Sequence, residues 1–406
     1  MNRIVLIGNG FDLAHDLKTS YEDFIYWYWK RRFKELHRWD SNKHYDNLCT
    51  LEVFGGTWSS FFSYNSYPLN YDNGKQLYHF FNKNKDKFQI THTPFFSNIH
   101  QNIETKGWVD IENEYYKLLE HYSLEDYSAK EIVELNNQLR YLQELLTEYL
   151  TTINQQNISV IKDIRKEIYA PIKKSDISIE AKEKLNEYIE WCNKQETDIW
   201  EIKLNNYGIN PIMSGDIHRV DIFKKDSTFC IDYPKVYMLP ENIMLLNFNY
   251  TKTANEYLEN RDNFSLNHIH GVLESPDSII FGYGDEFEDK YKKLQNLNNN
   301  ECLTNIKTIR YLESDNYRRV LAFIESAPFQ VYIMGHSCGN SDRTLLNRIF
   351  EHKNCISIKP YFYQKKDGTD NYIELVQNIS RNFTDMNLMR DRVVNKTYCE
   401  PLVEQR

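Results

Sequence analysis

The pattern of apolar and polar positions predicts a strand, a glycine turn and a helix at the start of the chain. Residues 4–7 are apolar on both faces and mostly β-branched, which is typical of a central strand in a parallel sheet. The turn Gly8-Asn9-Gly10 follows directly. A capping box at Ser20 then precedes an aromatic-rich helical pattern over 24–36. The weakly periodic stretch 42–106 is expected to form loops with short helices.

A charge-dense helical segment begins near Trp108 and runs to about Ile202, between segments that carry strand patterns. We interpret it as an insertion into an α/β framework. Apolar residues within it recur at the alternating spacing of a coiled-coil seam: Ile132, Leu135, Leu139, Leu142, Leu146, Tyr149 and Ile153. An antiparallel helical hairpin packed against its own protein is the first interpretation, and a homo-oligomer joined through the seam is the alternative. Ala170-Pro171 is predicted to end this helix.

Strand patterns return in the second half of the chain. The predicted strands are 243–248, 264–269, 278–281, 330–334 and 355–363. The predicted helices are 255–260, 342–352 and 371–383. Strands that alternate with helices favour parallel pairing through helical crossovers. We therefore predict an α/β fold with a Rossmann-like doubly wound parallel sheet, in which 1–107 and 207–406 form the nucleotide-binding domain and 108–206 is a large helical insertion.

Composition and charge narrow the class of protein. The chain has 406 residues, of which 41% are hydrophobic, so it can bury a large core. Its net charge of -9 argues against a broad surface for nucleic acid or acidic lipid. The seven cysteines form no C-x-x-C pair, which favours free thiols in a reducing compartment. No apolar run approaches the roughly 20 residues that span a bilayer. We expect a cytoplasmic protein without a membrane partner.

Gly8 and Gly10 make the first turn a candidate phosphate-binding site. Glycines let the backbone approach a phosphate, and a following helix presents N–H groups at its positive end. Leu13 stands where the dinucleotide fingerprint G-x-G-x-x-G has its third glycine, so an ordinary Asn-Gly turn also fits. Asp12 is interpreted either as a helix cap or as a group that reaches a ribose hydroxyl.

Polar residues end the next two predicted strands, where doubly wound sheets bind ligands. Asn247 and Asn249 end the first of them, and Asn249 fits a helix cap, a turn residue or a group that orients water. His268 and His270 end the second, on the same face of the strand. Each histidine is a candidate metal ligand or general base, and a structural hydrogen-bonded role is the alternative.

The segment Gly335-His336-Ser337-Cys338-Gly339 matches the G-x-S-x-G nucleophile elbow of α/β-hydrolases, with a predicted strand before it and a helix after it. A hydrolase of that class needs an acidic residue and then a histidine after the serine. His352 is the only histidine that follows Ser337 in the sequence. It lies at the far end of the same predicted helix, about 20 Å away at 1.5 Å per residue. We therefore reject a catalytic triad at Ser337.

The segments 6–15 and 17–21 resemble the opening signature of the AbiH-like phage abortive-infection family. The motif Trp108-Val109-Asp110-Ile111-Glu112 and later motifs are also similar to that family, so the resemblance covers most of the chain. Asp16 stands where the family leads us to expect a glycine. The resemblance implies a role in phage defence, with a phage-derived trigger as a partner.

The order of the glycine turn, Asn-Tyr, His-Gly and Gly-His-Ser motifs also resembles the core of prokaryotic sirtuin-like domains, many of which hydrolyse NAD. This resemblance implies cleavage of the nicotinamide N-glycosidic bond of NAD or NADP, bound as substrate, with no further cofactor. The residues that it implies in catalysis are Asn249 and His270. Those that it implies in dinucleotide binding are Gly8, Asn9, Gly10, Phe11, Asp12, Asn247, Gly335, Ser337 and Asp342. Protein deacylation is not expected, because the four-cysteine zinc spacing of sirtuin deacylases is missing.

Two other functions stay open at this point. One is a metal-dependent phosphoesterase or nuclease, with the ligand set Asp12, Asn249, His268, His270 and His336. The other is a non-enzymatic sensor that binds a nucleotide and contacts a phage or host partner through the helical insertion. The sequence has no H-x-x-x-H or H-E-x-x-H spacing, so we expect purified protein to contain no stoichiometric zinc.

Overall fold

A computed structural model describes residues 1–64, 83–106, 109–195, 219–222, 229–232, 235–287 and 289–404, with the single positions 76, 80 and 207. The β-strands are β1 Asn2–Ile7, β2 Lys43–Tyr45, β3 Cys49–Val53, β4 Phe88–His92, β5 Arg219–Ile222, β6 Phe229–Asp232, β7 Ile243–Asn247, β8 Phe264–His268, β9 Phe329–Met334 and β10 Cys355–Tyr361. The α-helices are α1 Asn9–Leu13, α2 Tyr21–Leu36, α3 Trp58–Tyr64, α4 Pro94–Lys106, α5 Ile111–Glu120, α6 Ala129–Asn154, α7 Lys162–Tyr169, α8 Ile179–Gln195, α9 Asp289–Asn296, α10 Lys307–Arg310, α11 Asn316–Ser326, α12 Arg343–Phe350, α13 Tyr372–Arg381 and α14 Met386–Arg392.

The described chain divides into two compact units. The first comprises Met1–Leu17, Gln156–Ile280 and Arg310–Arg406, and the second comprises Lys18–Gln155 and Phe281–Ile309. These units begin and end at other positions than the three predicted segments, whose status as domains stays a prediction. Trp108, at the start of the predicted insertion, lies outside the described residues.

The first unit contains a five-stranded sheet in the order β10-β9-β1-β7-β8, with every neighbouring pair parallel. Numbered along the chain within this sheet, the order is 3-2-1-4-5 from the β8 edge. A doubly wound sheet has this order, and its winding direction changes between β1 and β9. The sheet is compatible with the predicted Rossmann-like fold.

The central strand β1 explains why residues 4–7 are apolar throughout. Ile4 and Leu6 belong to one core cluster with Val331, while Val5 and Ile7 belong to another. All six residues of β1 are buried. A strand covered on both faces has no solvent side on which polar residues would alternate.

Four of the five strands predicted in the second half are confirmed as β7 to β10, and the strand predicted at 278–281 is wrong. Pro276–Ser278 forms a 3₁₀ turn instead. Proline has no N–H to give to a ladder, and the Ser278 hydroxyl satisfies local backbone groups by donating to Ser275 O and accepting from Val272 N. The helix predicted at 255–260 is likewise only a 3₁₀ turn, Thr253–Tyr257.

The second unit is built around the long helix α6. All seven residues of the predicted seam are buried. Tyr149 packs its ring against Phe24 of α2 at a centroid distance of 5.9 Å, and Asn136 accepts a hydrogen bond from Tyr115 of α5 at 2.7 Å. The seam is therefore occupied by contacts within this chain. The prediction that this helix ends at Pro171 is wrong, because α6 ends at Asn154 and the separate helix α7 precedes Ala170.

The stretch 42–106 contains an antiparallel sheet that the weak periodicity did not predict. Its order is β2-β3-β4, and β3 pairs with β4 from Cys49 opposite His92 to Val53 opposite Phe88. Only β3 carries a clear alternation of buried and half-buried residues. The other two strands are short, so their pairing with β3 decides their conformation more than their own pattern does.

Two predictions made from composition concern features that the structure describes. No helix among the described residues is long and apolar enough to cross a membrane. The cysteines described with side chains are free thiols, as predicted: Cys49, Cys302, Cys338, Cys355 and Cys399.

Candidate functional site

The glycine turn after β1 packs backbone to backbone against the end of β9. The N–H of Gly10 donates to Gly335 O at 2.8 Å. A Cβ at Gly8 would lie 2.5 Å from the Cα of His336, and one at Gly10 would lie 2.9 Å from the Cα of Gly335. No side chain fits at either position, so the close approach of two backbone segments accounts for both glycines.

Most N–H groups of the turn donate hydrogen bonds to acceptors within the protein. Gly8 N donates to Met334 O at 3.3 Å and Phe11 N donates to Gly8 O at 2.8 Å, while α1 is only five residues long. Asn9 is exposed and Phe11 is fully buried in the core. The assignment of this turn to dinucleotide binding stays a prediction, and its N–H groups are less available than the sequence led us to expect.

Asp16 has φ +60, the left-handed conformation that glycine adopts most readily. This explains why the family resemblance leads one to expect a glycine at this position. Aspartate tolerates the left-handed region better than most residues, so the turn keeps its shape. Asp16 therefore accommodates the left-handed conformation at this position.

Asp12 joins the first turn to the loop after β7. Its Oδ2 accepts a hydrogen bond from Thr251 Oγ1 at 2.6 Å, and its Oδ1 is buried without a hydrogen-bond partner among the described residues. Burial raises the pKa of Asp12, and the hydrogen bond from Thr251 opposes that rise. The cap interpretation is wrong, because Gly8 holds the N-cap position of α1. The buried Oδ1 leaves one acceptor that this part of the structure does not satisfy.

The two amides that follow β7 differ in exposure and in partners. Asn247 is buried, donates to Thr251 O at 3.3 Å and to His268 Nδ1 at 3.1 Å, and accepts from Asn249 N at 3.1 Å. Asn249 is half-buried, and its Nδ2 donates to Gly8 O at 3.0 Å. Asn247 therefore braces the loop, whereas the half-buried Asn249 lies against the glycine turn.

His268 is held as a neutral structural histidine. Its Nδ1 accepts from Asn247 Nδ2, and its Nε2 donates to Asn255 Oδ1 at 3.2 Å. Burial is the main cause that lowers its pKa. With both ring nitrogens bonded to amides, His268 fits the structural alternative better than a ligand or a base.

His270 and His336 share one carboxylate. His270 Nε2 lies 3.2 Å from Asp342 Oδ1, and His336 Nε2 lies 3.6 Å from Asp342 Oδ2. All three side chains are at most a tenth exposed. The Nδ1 of His336 accepts from Cys338 N at 3.0 Å, so neutral His336 carries its proton on Nε2, toward Asp342. Residues that follow β8 and β9, which are not neighbours in the sheet, thus meet in one buried polar cluster.

Aromatic rings frame this cluster. The ring of Phe248 lies 5.3 Å from that of His270 and 4.1 Å from that of His336, measured between centroids. Tyr311 places its hydroxyl 3.2 Å from His270 Nε2, and its ring stacks on Tyr317 at 5.2 Å. Tyr311 was not predicted as a site residue, because it lies in a 3₁₀ turn outside every motif. No sequence pattern around Tyr311 and Tyr317, which lie near the start of a helix, distinguishes them from ordinary core residues.

The backbone around Ser337 does not have the form of a nucleophile elbow. Cys338, not Ser337, has the positive φ of +54, and Ser337 is exposed. A 3₁₀ turn, Asn340–Asp342, separates this segment from α12. His352 pairs with Glu325, with 3.1 Å between Nε2 and Oε1. The rejection of a Ser337 triad agrees with this geometry.

The ligand set of the metal-dependent alternative is dispersed. Asp12 bonds to Thr251, His268 bonds to two amides, and His270 and His336 face Asp342. Within the described ranges, no group of three or more His, Cys, Asp or Glu side chains is arranged to hold a metal ion. The structure therefore does not bring the five proposed ligands together.

A comparison with known protein families identifies a match over most of the chain. The profile of the family described as "Bacteriophage abortive infection AbiH" matches residues 4–363. No curated protein and no solved structure matches the chain. The family match spans β1 to the end of β10 and so includes the glycine turn, the β7 and β8 strand ends and the His270–Asp342–His336 cluster. The chain belongs to the bacteriophage abortive infection AbiH family.

Proposed function

We propose that this protein serves phage defence by hydrolysing a nicotinamide dinucleotide, NAD or NADP, at the carboxyl ends of β1, β7, β8 and β9. Membership of the family supports the role in abortive infection. Doubly wound sheets bind nucleotides where the winding direction changes, here between β1 and β9. The polar residues described above follow the carboxyl ends of these strands, which supports a ligand site there.

The pairing of His270 with Asp342 is the observation on which the proposal rests. A carboxylate that accepts from one imidazole nitrogen fixes the ring orientation and stabilises the imidazolium that forms when the other nitrogen takes a proton. With the proton on Nε2, 3.2 Å from Asp342 Oδ1, the lone pair of neutral His270 is on Nδ1. His270 is thus arranged as an oriented general base.

The proposed reaction needs few groups. The bond between the ribose C1′ and the nicotinamide nitrogen breaks, nicotinamide leaves with the electron pair as a neutral molecule, and C1′ becomes oxocarbenium-like. Water attacks C1′, and His270 accepts the proton that the water loses. Asn249, half-buried beside Gly8, is placed to accept a hydrogen bond from that water or from a ribose hydroxyl through Oδ1. The cationic leaving group needs no acid.

The test compares purified wild-type protein with Asn249→Ala, His270→Ala and Asp342→Asn, by chromatography of NAD, NADP and nicotinamide. Loss of a general base typically lowers the rate about 10²- to 10⁴-fold, so we expect His270→Ala to lose turnover and phage protection. Asn249→Ala and Asp342→Asn should also lose both, the first because the water or ribose loses a hydrogen-bond partner and the second because His270 loses its orienting carboxylate. His268→Gln, two residues before His270 in the same segment, is the matched control and should keep most activity. The thermal unfolding temperature of each variant shows that it is folded.

The same measurements separate the other functions. Dinucleotide loss at the wild-type rate in all three variants would refute the assignment. Binding of NAD by wild-type protein without turnover, with or without phage extract, would favour the non-enzymatic sensor. One tightly held metal per chain that is lost together with activity on chelation would favour the phosphoesterase.

A further inference from the structure

The loop Gly335–Asp342 carries two members of the buried cluster and contains a strained residue. Cys338 has φ +54, a region that non-glycine residues rarely adopt, and its side chain is fully buried. Such a residue persists only where the surrounding structure holds it from more than one side. Burial also raises the pKa of the Cys338 thiol, so the side chain has little thiolate character to react. The conformation of Cys338, rather than its sulfur, is the feature to explain.

Both peptide groups of Cys338 are held by side chains. Its N–H donates to His336 Nδ1 at 3.0 Å, and its C=O accepts from Asn382 Nδ2 at 2.9 Å. The carbonyl just before it, that of Ser337, accepts from Asn378 Nδ2 at 3.0 Å. The two asparagines are four residues apart at the end of α13 and therefore lie on the same side of that helix. They fix two consecutive peptide units of the loop.

Asn382 is itself rigidly placed. It is fully buried, and its Nδ2 also donates to Asn378 O at 2.8 Å. Its own carbonyl accepts from Asn347 of α12 at 3.0 Å. The two bonds that Asn382 Nδ2 donates, to Cys338 O and to Asn378 O, connect α13 to the loop.

We infer that Asn382 is a positioning residue for the His270–Asp342 pair. It keeps Cys338 in the left-handed conformation, in which the Cys338 N–H points to His336 Nδ1 and both histidines face Asp342. Without this amide, Cys338 relaxes to an ordinary backbone conformation, its N–H leaves His336, and the carboxylate turns away from His270. The inference rests on the proposed function only for its kinetic readout.

The test is Asn382→Ala, with Asn354→Ala as the matched control. The side-chain amide of Asn354 also donates to a carbonyl, Ile324 O at 2.9 Å. Asn354 directly precedes β10, however, and so lies at the amino-terminal ends of the strands, whereas the cluster follows their carboxyl ends. A misplacement near 1 Å costs about 10²-fold in rate, so we expect kcat to fall roughly 10- to 100-fold in Asn382→Ala with KM nearly unchanged. In histidine-labelled protein, the imidazole NMR signals of His270 and His336 should shift. Neither change is expected in the control.

A second substitution distinguishes positioning from simple support of the core. Glycine adopts φ +54 without the penalty of a Cβ, so Asn382→Ala combined with Cys338→Gly should recover most of the kcat and return the imidazole signals toward their wild-type positions. A residue that only fills the core predicts the reverse, because Cys338→Gly removes a further buried side chain and should make the double variant worse.

Wild-type imidazole signals in Asn382→Ala, with only a lower unfolding temperature, would overturn the inference. If Asn382→Ala does not fold, Asn378→Ala replaces it, because Asn378 is half-buried and holds the neighbouring Ser337 carbonyl. If wild-type protein hydrolyses no dinucleotide, the proposed function fails, and the imidazole signals alone then decide whether Asn382 positions the cluster.

Discussion

Gly10 and Gly335 touch through their backbones, and this contact joins the turn after β1 to the turn after β9. The Gly10 N–H donates to Gly335 O at 2.8 Å, and a Cβ on Gly335 would lie 2.1 Å from the nitrogen of Phe11. Gly335 also has φ +78. The glycines on both sides thus serve the same contact, which brings the two strand ends of the proposed site together.

Gly335→Ala should destabilise the first unit more than its backbone conformation alone explains. Gly368 has a similar φ of +82, but a Cβ there would meet no atom of the described chain within 4 Å, so Gly368→Ala is the matched control. We expect the control to lose about 1 kcal/mol and Gly335→Ala to lose roughly 3 kcal/mol or more, from strain and overpacking together. Chemical denaturation measures both. Equal losses would mean that the contact with Phe11 relaxes at little cost.

Ser337→Ala should leave a folded protein with weaker dinucleotide binding that still turns over, because no histidine in the described part of the chain is paired with the exposed Ser337 side chain in triad geometry. A fluorophosphonate probe should not label the wild-type protein at Ser337. Stoichiometric labelling at that residue, lost in Ser337→Ala, would instead establish a serine hydrolase.

The second unit should lose stability in mild acid because of His100. Burial, and next the neighbouring His92, lower the pKa of His100 from 6.5 to about 3. As pH falls below 6.5 the unfolded chain binds this proton and the folded chain does not, so the free energy of unfolding decreases down to the folded pKa. The expected slope is roughly 1.4 kcal/mol per pH unit for one proton.

His100→Gln should reduce this acid sensitivity while keeping an acceptor for Trp29 Nε1, which donates to His100 Nε2 at 2.9 Å. Denaturation curves near pH 7 and near pH 5 measure the effect. His121→Gln, at a side chain that is 48% exposed, is the control and should retain the wild-type slope. An unchanged slope in His100→Gln would show that other groups cause the acid loss.

Lys307→Met should strongly destabilise the second unit. Lys307 Nζ lies 2.9 Å from Glu112 Oε2, with the two side chains 1% and 11% exposed. Removing one partner of a buried ion pair leaves a buried charge and typically costs about 3–5 kcal/mol. Lys290→Met breaks a pair of equal length with Glu120, but Lys290 is 53% exposed, so its loss should stay within about 1 kcal/mol. Similar losses in both variants would contradict this ranking.

The sequence predicted those features that depend on local patterns. The apolar run before Gly8 predicted the central strand, and the spacing from Ile132 to Ile153 predicted a helix with one buried face. The short strand β4 was missed because its partner β3 lies more than thirty residues earlier, and sequence periodicity carries no information on such pairing.

The candidate site shows the same limit. The resemblance to sirtuin-like domains named His270 and Asp342 separately, but their contact at 3.2 Å depends on the order of strands in the sheet. The bond from Asn382 to Cys338 O joins residues forty-four positions apart, and no motif contains Asn382. Periodicity identifies elements and turns, whereas tertiary packing decides which of their side chains meet.

The strand order has a consequence for the protein while it is being made. β1 is synthesised long before either of its neighbours, since β7 begins at Ile243 and β9 at Phe329. On the ribosome, the nascent chain therefore holds its central strand unpaired until most of the polypeptide has emerged. His270 cannot meet Asp342 before β9 docks. A chain that ends before β9 therefore lacks the assembled pair, so the activity proposed above would require most of the polypeptide to have been made.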